Sequence, residues 1–284
     1  MEYNEEVKAA SHPTFRSSVL EAPETAVTYE IELPGVSILV GPNGCGKSTI
    51  CRSIHNITGC GFIPAFRDVS VTLLDARALE CYHMRPGSWF YNNPAADTVL
   101  RRIRRIQLSS YNEIPEFGME VVEEIESTIG GRMYYDDDSK TFFLQPSAKG
   151  KLRIPAENLP SGVRTLGPLQ MLAASYRDGA RRPPILIIDD LEGSLYPAWQ
   201  IVFASLLFKF AAKGIRVLAT ANSVYTLEAI YAYAEMHGEY GKRPRVDFRC
   251  YLGAQHGKVS SFTDVSTEPN ILYGPLSRLM RQFL

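Results

Sequence analysis

Histidine and cysteine are sparse in this 284-residue chain, at five each, and neither forms a ligand pattern. Cys45, Cys51, Cys60, Cys81 and Cys250 include no C-x-x-C pair, so neither a disulfide framework nor a structural zinc site is indicated. The histidines, at positions 12, 55, 83, 237 and 256, lack metal-ligand spacing, and no Ser-His-Asp or Cys-His order or nuclease cluster stands out. Neither sign of charge is in excess: 30 Lys and Arg against 31 Asp and Glu leave a formal charge of −1. That balance excludes a protein that coats nucleic acid by charge alone. No stretch approaches the roughly 18 apolar residues of a membrane span, and the polar, acidic start MEYNEEVKAASHP has no apolar signal core. The chain therefore reads as soluble and cytoplasmic, with no membrane partner.

What is present is an ordinary globular composition, 45% hydrophobic, 21% charged and 11% aromatic, enough apolar residues to build a core. Short apolar runs at 17–20 and 26–31 read as strands, and VSILV at 36–40 as a buried strand. Further strand candidates are 69–75, 78–84, ILIID at 185–189, 215–220, 246–252 and 258–262. Helical spacing marks 95–107, 116–129, 163–176, 197–212, 223–237 and a segment from Gly274 onward. MYY at 133–135 and TFFL at 141–144, separated by the turn-forming DDDSK, predict a β-hairpin. Strands alternating with helices imply a mostly parallel sheet flanked by helices. N-terminal antiparallel strands and an inserted α/β lobe over about 85–158 complete an α/β expectation for one domain spanning 1–284.

Between the strand at 36–40 and the helix that follows lies GPNGCGKST, residues 41–49, which meets the pattern G-x-x-x-x-G-K-[ST]. Glycines let such a loop curl so that backbone N–H groups, here those of Asn43, Gly44, Cys45 and Gly46, face phosphate oxygens. Lys47 is placed to reach the β- and γ-phosphates, Ser48 to put its hydroxyl on Mg²⁺, and Thr49 to support the α-phosphate. A Gly-rich turn that binds nothing would not need the strand before it, the helix after it and an acidic partner downstream. That partner is ILIIDD at 185–190: a buried strand carries Asp189 to the sheet edge to hold Mg²⁺, and Asp190 to orient or deprotonate a water. ATP with Mg²⁺ is the expected ligand.

Three stretches beyond the phosphate loop, LPSGVRTL at 159–166, IDDLEGSLYP at 188–197 and ATANSVYTLEAI at 219–230, resemble ABC-type ATPase heads. The likeness is to the stand-alone proteins related to OLD-family ATPases and to SMC heads. It implies a P-loop NTPase with an ABC-type head, in which Ser161 and Gly162 form a signature loop that binds the γ-phosphate held by a second subunit. It also implies a homodimer or higher oligomer sandwiching ATP, a separate effector such as a nuclease or toxin, and a role in anti-phage defence. Relatives carry a glutamate where this chain has Asp190, a proline where it has Leu191, and a γ-phosphate-sensing histidine where it has Asn222. A shorter carboxylate and an uncharged amide imply slow or conditional hydrolysis.

Several alternatives stay open at the level of sequence. Ser161 also suits a plain helix N-cap, and Asp190 with Asn222 also suits a scaffold that binds ATP without turning it over. Arg101, Arg102, Arg104 and Arg105 are the one dense basic run. It suits a solvated helix face, or a DNA contact in a DNA-repair or chromosome-associated ATPase. A transporter subunit fits less well with the LPSG stretch and the inserted lobe. Gln107 and Gln145 are candidates for a glutamine near the γ-phosphate, and Phe15 and Tyr29 for an adenine-stacking ring.

Overall fold

The computed structural model describes residues 14–22, 25–59, 71–75, 103–114, 116–148, 150–175, 185–190, 192–238 and 244–268. The expected strand at 78–84, the helix from Gly274 onward and residues 95–102 of the expected basic helix lie outside them, and residues 104–107, expected as that helix's end, are turn and irregular backbone.

The strands are β1 (Thr14–Ala22), β2 (Thr25–Glu32), β3 (Val36–Val40), β4 (Val71–Asp75), β5 (Gly131–Asp136), β6 (Thr141–Pro146) and β7 (Ile154–Pro155). They continue with β8 (Ile185–Asp189), β9 (Arg216–Ala221), β10 (Phe248–His256) and β11 (Val259–Asp264). The α-helices are α1 (Lys47–Gly59), α2 (Glu116–Ile129), α3 (Ser161–Ser175), α4 (Pro197–Ala212) and α5 (Val224–Met236).

Eight strands form one sheet in the order β1-β2-β11-β10-β3-β9-β8-β4. The run from β10 through β3, β9 and β8 to β4 is parallel throughout. Every residue of β3 and of β8 is buried, which explains their unbroken apolar sequences: a parallel strand covered on both faces has no solvent side to give to polar residues. At the other end β1 pairs antiparallel with β2 and β10 with β11, as the expectation of N-terminal antiparallel strands required. β2 and β11 run parallel and join the two parts.

Because β3, β9 and β8 are neighbours and point the same way, their C-terminal ends open onto one edge of the sheet. Ligands collect there in open α/β sheets. Val40 pairs with Ala221, and Ile188 with Ala219, so the loops leaving these strands start at nearly the same level.

A second, antiparallel sheet, β5-β6-β7, carries the expected hairpin. It is tied to the helices by Gln170 of α3, which is fully buried. Its side chain accepts from Met133 N–H at 2.8 Å and donates to Gly131 O at 3.1 Å and Val122 O at 3.3 Å. Helix α2 packs on α3 closely: a Cβ on Gly118 would meet Ala173 O at 2.7 Å. Lys209 of α4 reaches Glu120 and Glu124 of α2 at 2.9 and 3.0 Å. The acidic face of α2 is thus partly spent on an ion-paired contact. Of the basic run, Arg104 lies over the Tyr135 ring at 5.9 Å and Arg105 is exposed, while Ile103 and Ile106 are buried.

Candidate phosphate-binding site

The loop between β3 and α1 has the backbone that its glycines allow. Gly41, Gly44 and Gly46 have φ of 147°, 84° and 93°, a range that L side chains avoid. Space is short as well: a Cβ on Gly46 would sit 2.7 Å from Val27 Cγ2, and one on Gly41 2.7 Å from Gly253 O. The loop is therefore bedded on β2 and β10, which a longer residue at either position would lift. Lys47 is buried, and its ammonium donates to Gly41 O at 2.7 Å and Pro42 O at 3.1 Å. Two carbonyls replace the hydration that burial takes away, and both belong to the loop itself.

Asn43, Gly44, Gly46, Lys47, Ser48, Thr49, Asp189, Asp190, Thr220 and Asn222 line one cleft of about 180 Å³. Nine of these ten had been expected at the site, and the cleft brings together loops leaving β3, β8 and β9. Asp189 is only 4% exposed, and its Oδ1 accepts from the Thr220 hydroxyl at 3.2 Å. That same hydroxyl accepts from Asp190 N–H at 2.8 Å. Thr220 thus fixes both acidic residues, and sequence reasoning missed it. Asp190 is exposed and has φ of 55°. Asp tolerates this left-handed region better than most side chains do, which gives a local reason for aspartate at this position.

Cys45 stands apart from these ten. It does not line the cleft; its side chain is fully buried with Sγ 4.0 Å from Lys47 Nζ, and its N–H donates to Pro42 O at 3.3 Å. The other candidates outside the motif fall elsewhere. Phe15 and Tyr29 are core residues, with Tyr29 Oη 2.9 Å from Ser53 Oγ, so neither offers an adenine platform. Gln107 bonds Asp137 at 2.6 Å and Gln145 bonds Gly150 O at 2.6 Å; both are side chains of the second sheet's surroundings.

Ser161 and Gly162 do not line the cleft. Ser161 opens α3 and is exposed, and the hydrogen bond of its hydroxyl runs to Ser194 O at 3.5 Å, not to its own helix. Gly162 is needed for close approach: a Cβ there would meet the Trp199 ring at 2.7 Å. Thr165, one turn on, bonds the Ser194 hydroxyl at 2.5 Å. The start of α3 is thereby fastened to the short 3-10 turn Glu192–Ser194.

Glu192 is the second residue that sequence reasoning missed. It is 2% exposed, and Oε1 accepts from the backbone N–H groups of Asn222 and, at 2.8 Å, Ser223. Oε2 is buried with no hydrogen-bond partner among the described residues. Burial pushes its carboxyl above the usual range, against the pull of the two N–H groups, and Asp190 adds repulsion. The available signal was an acid three residues after Asp189, inside a Gly-Ser turn.

As for a metal, Ser48 and Asp189 offer a hydroxyl and a carboxylate to the same cleft, the hard oxygen donors that Mg²⁺ prefers. Among the described residues no three His, Cys, Asp or Glu side chains gather as a metal cluster. No helix among them is long and apolar enough to cross a membrane.

Fold and cleft together define an α/β P-loop architecture, with the phosphate loop, an acidic strand end and an Asn-bearing loop at adjoining parallel strands. More narrowly, the fold is that of ABC-type and SMC ATPase heads. The chain is similar to an SMC head solved bound to the C-winged helix domain of ScpA, with a TM-score of 0.52 and 13% identity over 86% of this chain and 94% of that one. It is also similar to the RNase-L Inhibitor, with a TM-score of 0.52 and 14% identity over 94% of this chain and 43% of that one. No protein-family model and no curated protein matches the sequence.

Proposed function

We propose that the chain binds Mg·ATP in the cleft between residues 41–49 and Asp189, and that two copies close around the nucleotide to switch an effector protein. The observation that carries this is the convergence of Lys47, Ser48, Thr49, Asp189, Asp190 and Asn222 on one cleft. Lys47 exchanges its two loop carbonyls for phosphate oxygens, and Ser48 with Asp189 would hold Mg²⁺. The ion supplies charge neutralisation to the phosphates.

At about 180 Å³ the cleft is smaller than the roughly 300–1,000 Å³ of a self-contained ligand pocket. That supports a site completed by a second surface. Ser161, exposed at the start of α3, and the buried Gly162 beside it, both outside the cleft, are the residues we assign to the partner's nucleotide. Tyr196, after the Glu192–Ser194 turn, and Tyr225, after the Asn222 loop, are large side chains left exposed, the kind of surface a partner covers. Turnover is slow in this reading, because Asp190 is one methylene shorter than glutamate and Asn222 carries no charge. A role in anti-phage defence with a nuclease or toxin effector rests on the resemblance to OLD-type and SMC-like heads. The ScpA domain on the similar SMC head supports a protein partner.

Calorimetry with Mg·ATP, beside light scattering, tests the proposal. Wild type is expected to bind and to double in mass with ATP but not ADP. Lys47→Ala is expected to lose at least tenfold in affinity, and Ser161→Arg to bind yet remain monomeric. A wild type without ATP affinity ends the reading.

A further inference from the structure

The geometry points to Glu192 as a positioning residue that holds Asn222 at the γ-phosphate end of the cleft, an inference that rests on the nucleotide reading above. Asn222 lines the cleft, and among the described residues no hydrogen bond of its own side chain fixes it there; the N-cap Ser223 makes no side-chain bond to its helix. The Ser223 hydroxyl is turned instead to Gln200 Oε1. The N–H groups of Asn222 and Ser223, at the positive end of α5, are taken by Glu192 Oε1. A carboxylate from a different loop does the work of a helix cap.

Glu192 is itself held. Gln200 of α4 donates to Glu192 O at 3.3 Å and Leu195 O at 3.0 Å, so the turn cannot shift without moving α4's first turns. At its far end the same turn meets Thr165 through Ser194. One three-residue turn therefore joins the start of α3 to the backbone of Asn222. Burying an anionic group with one oxygen unpaired costs stability, and a cap alone needs only the short neutral acceptors found at helix starts. What a long carboxylate at this place adds is a fixed position for the residue before the helix, which is Asn222.

Single-turnover hydrolysis and ATP affinity are measured for wild type, Glu192→Asp, Glu192→Gln, Asn222→Ala and the Glu192→Asp/Asn222→Ala double variant. Asp keeps the charge but withdraws the acceptor by one methylene; Gln keeps the reach. Expected are ATP affinities within threefold of wild type in the two single Glu192 variants, a tenfold or greater loss of rate at saturating ATP in Glu192→Asp and Asn222→Ala, and no further loss in the double variant. Glu192→Gln is expected to stay within threefold of wild type. Multiplicative losses in the double variant, or equal damage by Asp and Gln, would mean a structural role only and overturn the inference. Loss of ATP binding in wild type itself would instead overturn the nucleotide reading, and this inference with it.

Discussion

Asp190 shows how backbone and chemistry meet in one residue. Its φ of 55° favours a short polar side chain, and the shorter of the two acidic residues fills the position. Gly46 is constrained twice, by φ of 93° and by Val27. Gly46→Ala is expected to cost roughly 1–2 kcal/mol from the left-handed backbone alone and to abolish ATP binding; a urea melt and a titration separate the two effects. Glu192 makes a pH prediction. Its folded carboxyl is raised above the unfolded value, so its contribution to stability is complete in acid and is lost as pH rises through the folded value. Glu192→Gln, uncharged throughout, is therefore expected to melt higher than wild type at pH 8 and level with it near pH 4. Equal melting at both would show that the two N–H groups offset the burial. The motif residues were legible because their pattern is local. Glu192 and Thr220 were not, because their partners lie 30 and 31 positions away.

Among the elements, strands β3 and β8 and helix α2 were readable from periodicity, since continuous burial and an amphipathic helix each leave a plain pattern. Helix α3 was harder. It starts at Ser161, two residues before the expected 163, and its glycines at 162 and 167 look like helix breakers until their neighbours are seen. Trp199 and Met133 occupy the space a Cβ would need. Gln107 and Gln145, candidates for the phosphate site that suited a surface role better, are peripheral, and the buried Gln170 went unnoticed because its three partners come from other elements. Gln170→Leu strands buried backbone groups of α2 and β5 and is expected to lower stability by roughly 3 kcal/mol. Chemical denaturation should show it, with ATP affinity per folded molecule unchanged.

For the whole molecule, alternation of strands and helices was enough to foresee a parallel sheet, but not the order of its strands. Nothing in a local pattern says that β10, from residues 248–256, lies beside β3, from residues 36–40, or that β11 joins β2. The first pairing brings a segment more than two hundred residues downstream against the phosphate loop, with Gly253 under Gly41, while β2's Val27, close in sequence, lies under Gly46. A chain cut after residue 244 would retain the whole motif and both acidic residues, yet lack the strand on which the loop lies. Such a fragment is expected to bind no ATP, and adding a peptide of residues 245–268 to restore part of the affinity; titration of the two mixtures checks this.

The bedding of Gly41 on Gly253 also has a consequence during synthesis. The phosphate loop leaves the ribosome more than two hundred residues before the strand it lies on, so the nascent chain carries the motif well before it can form the site, and nucleotide capture is expected to wait for β10.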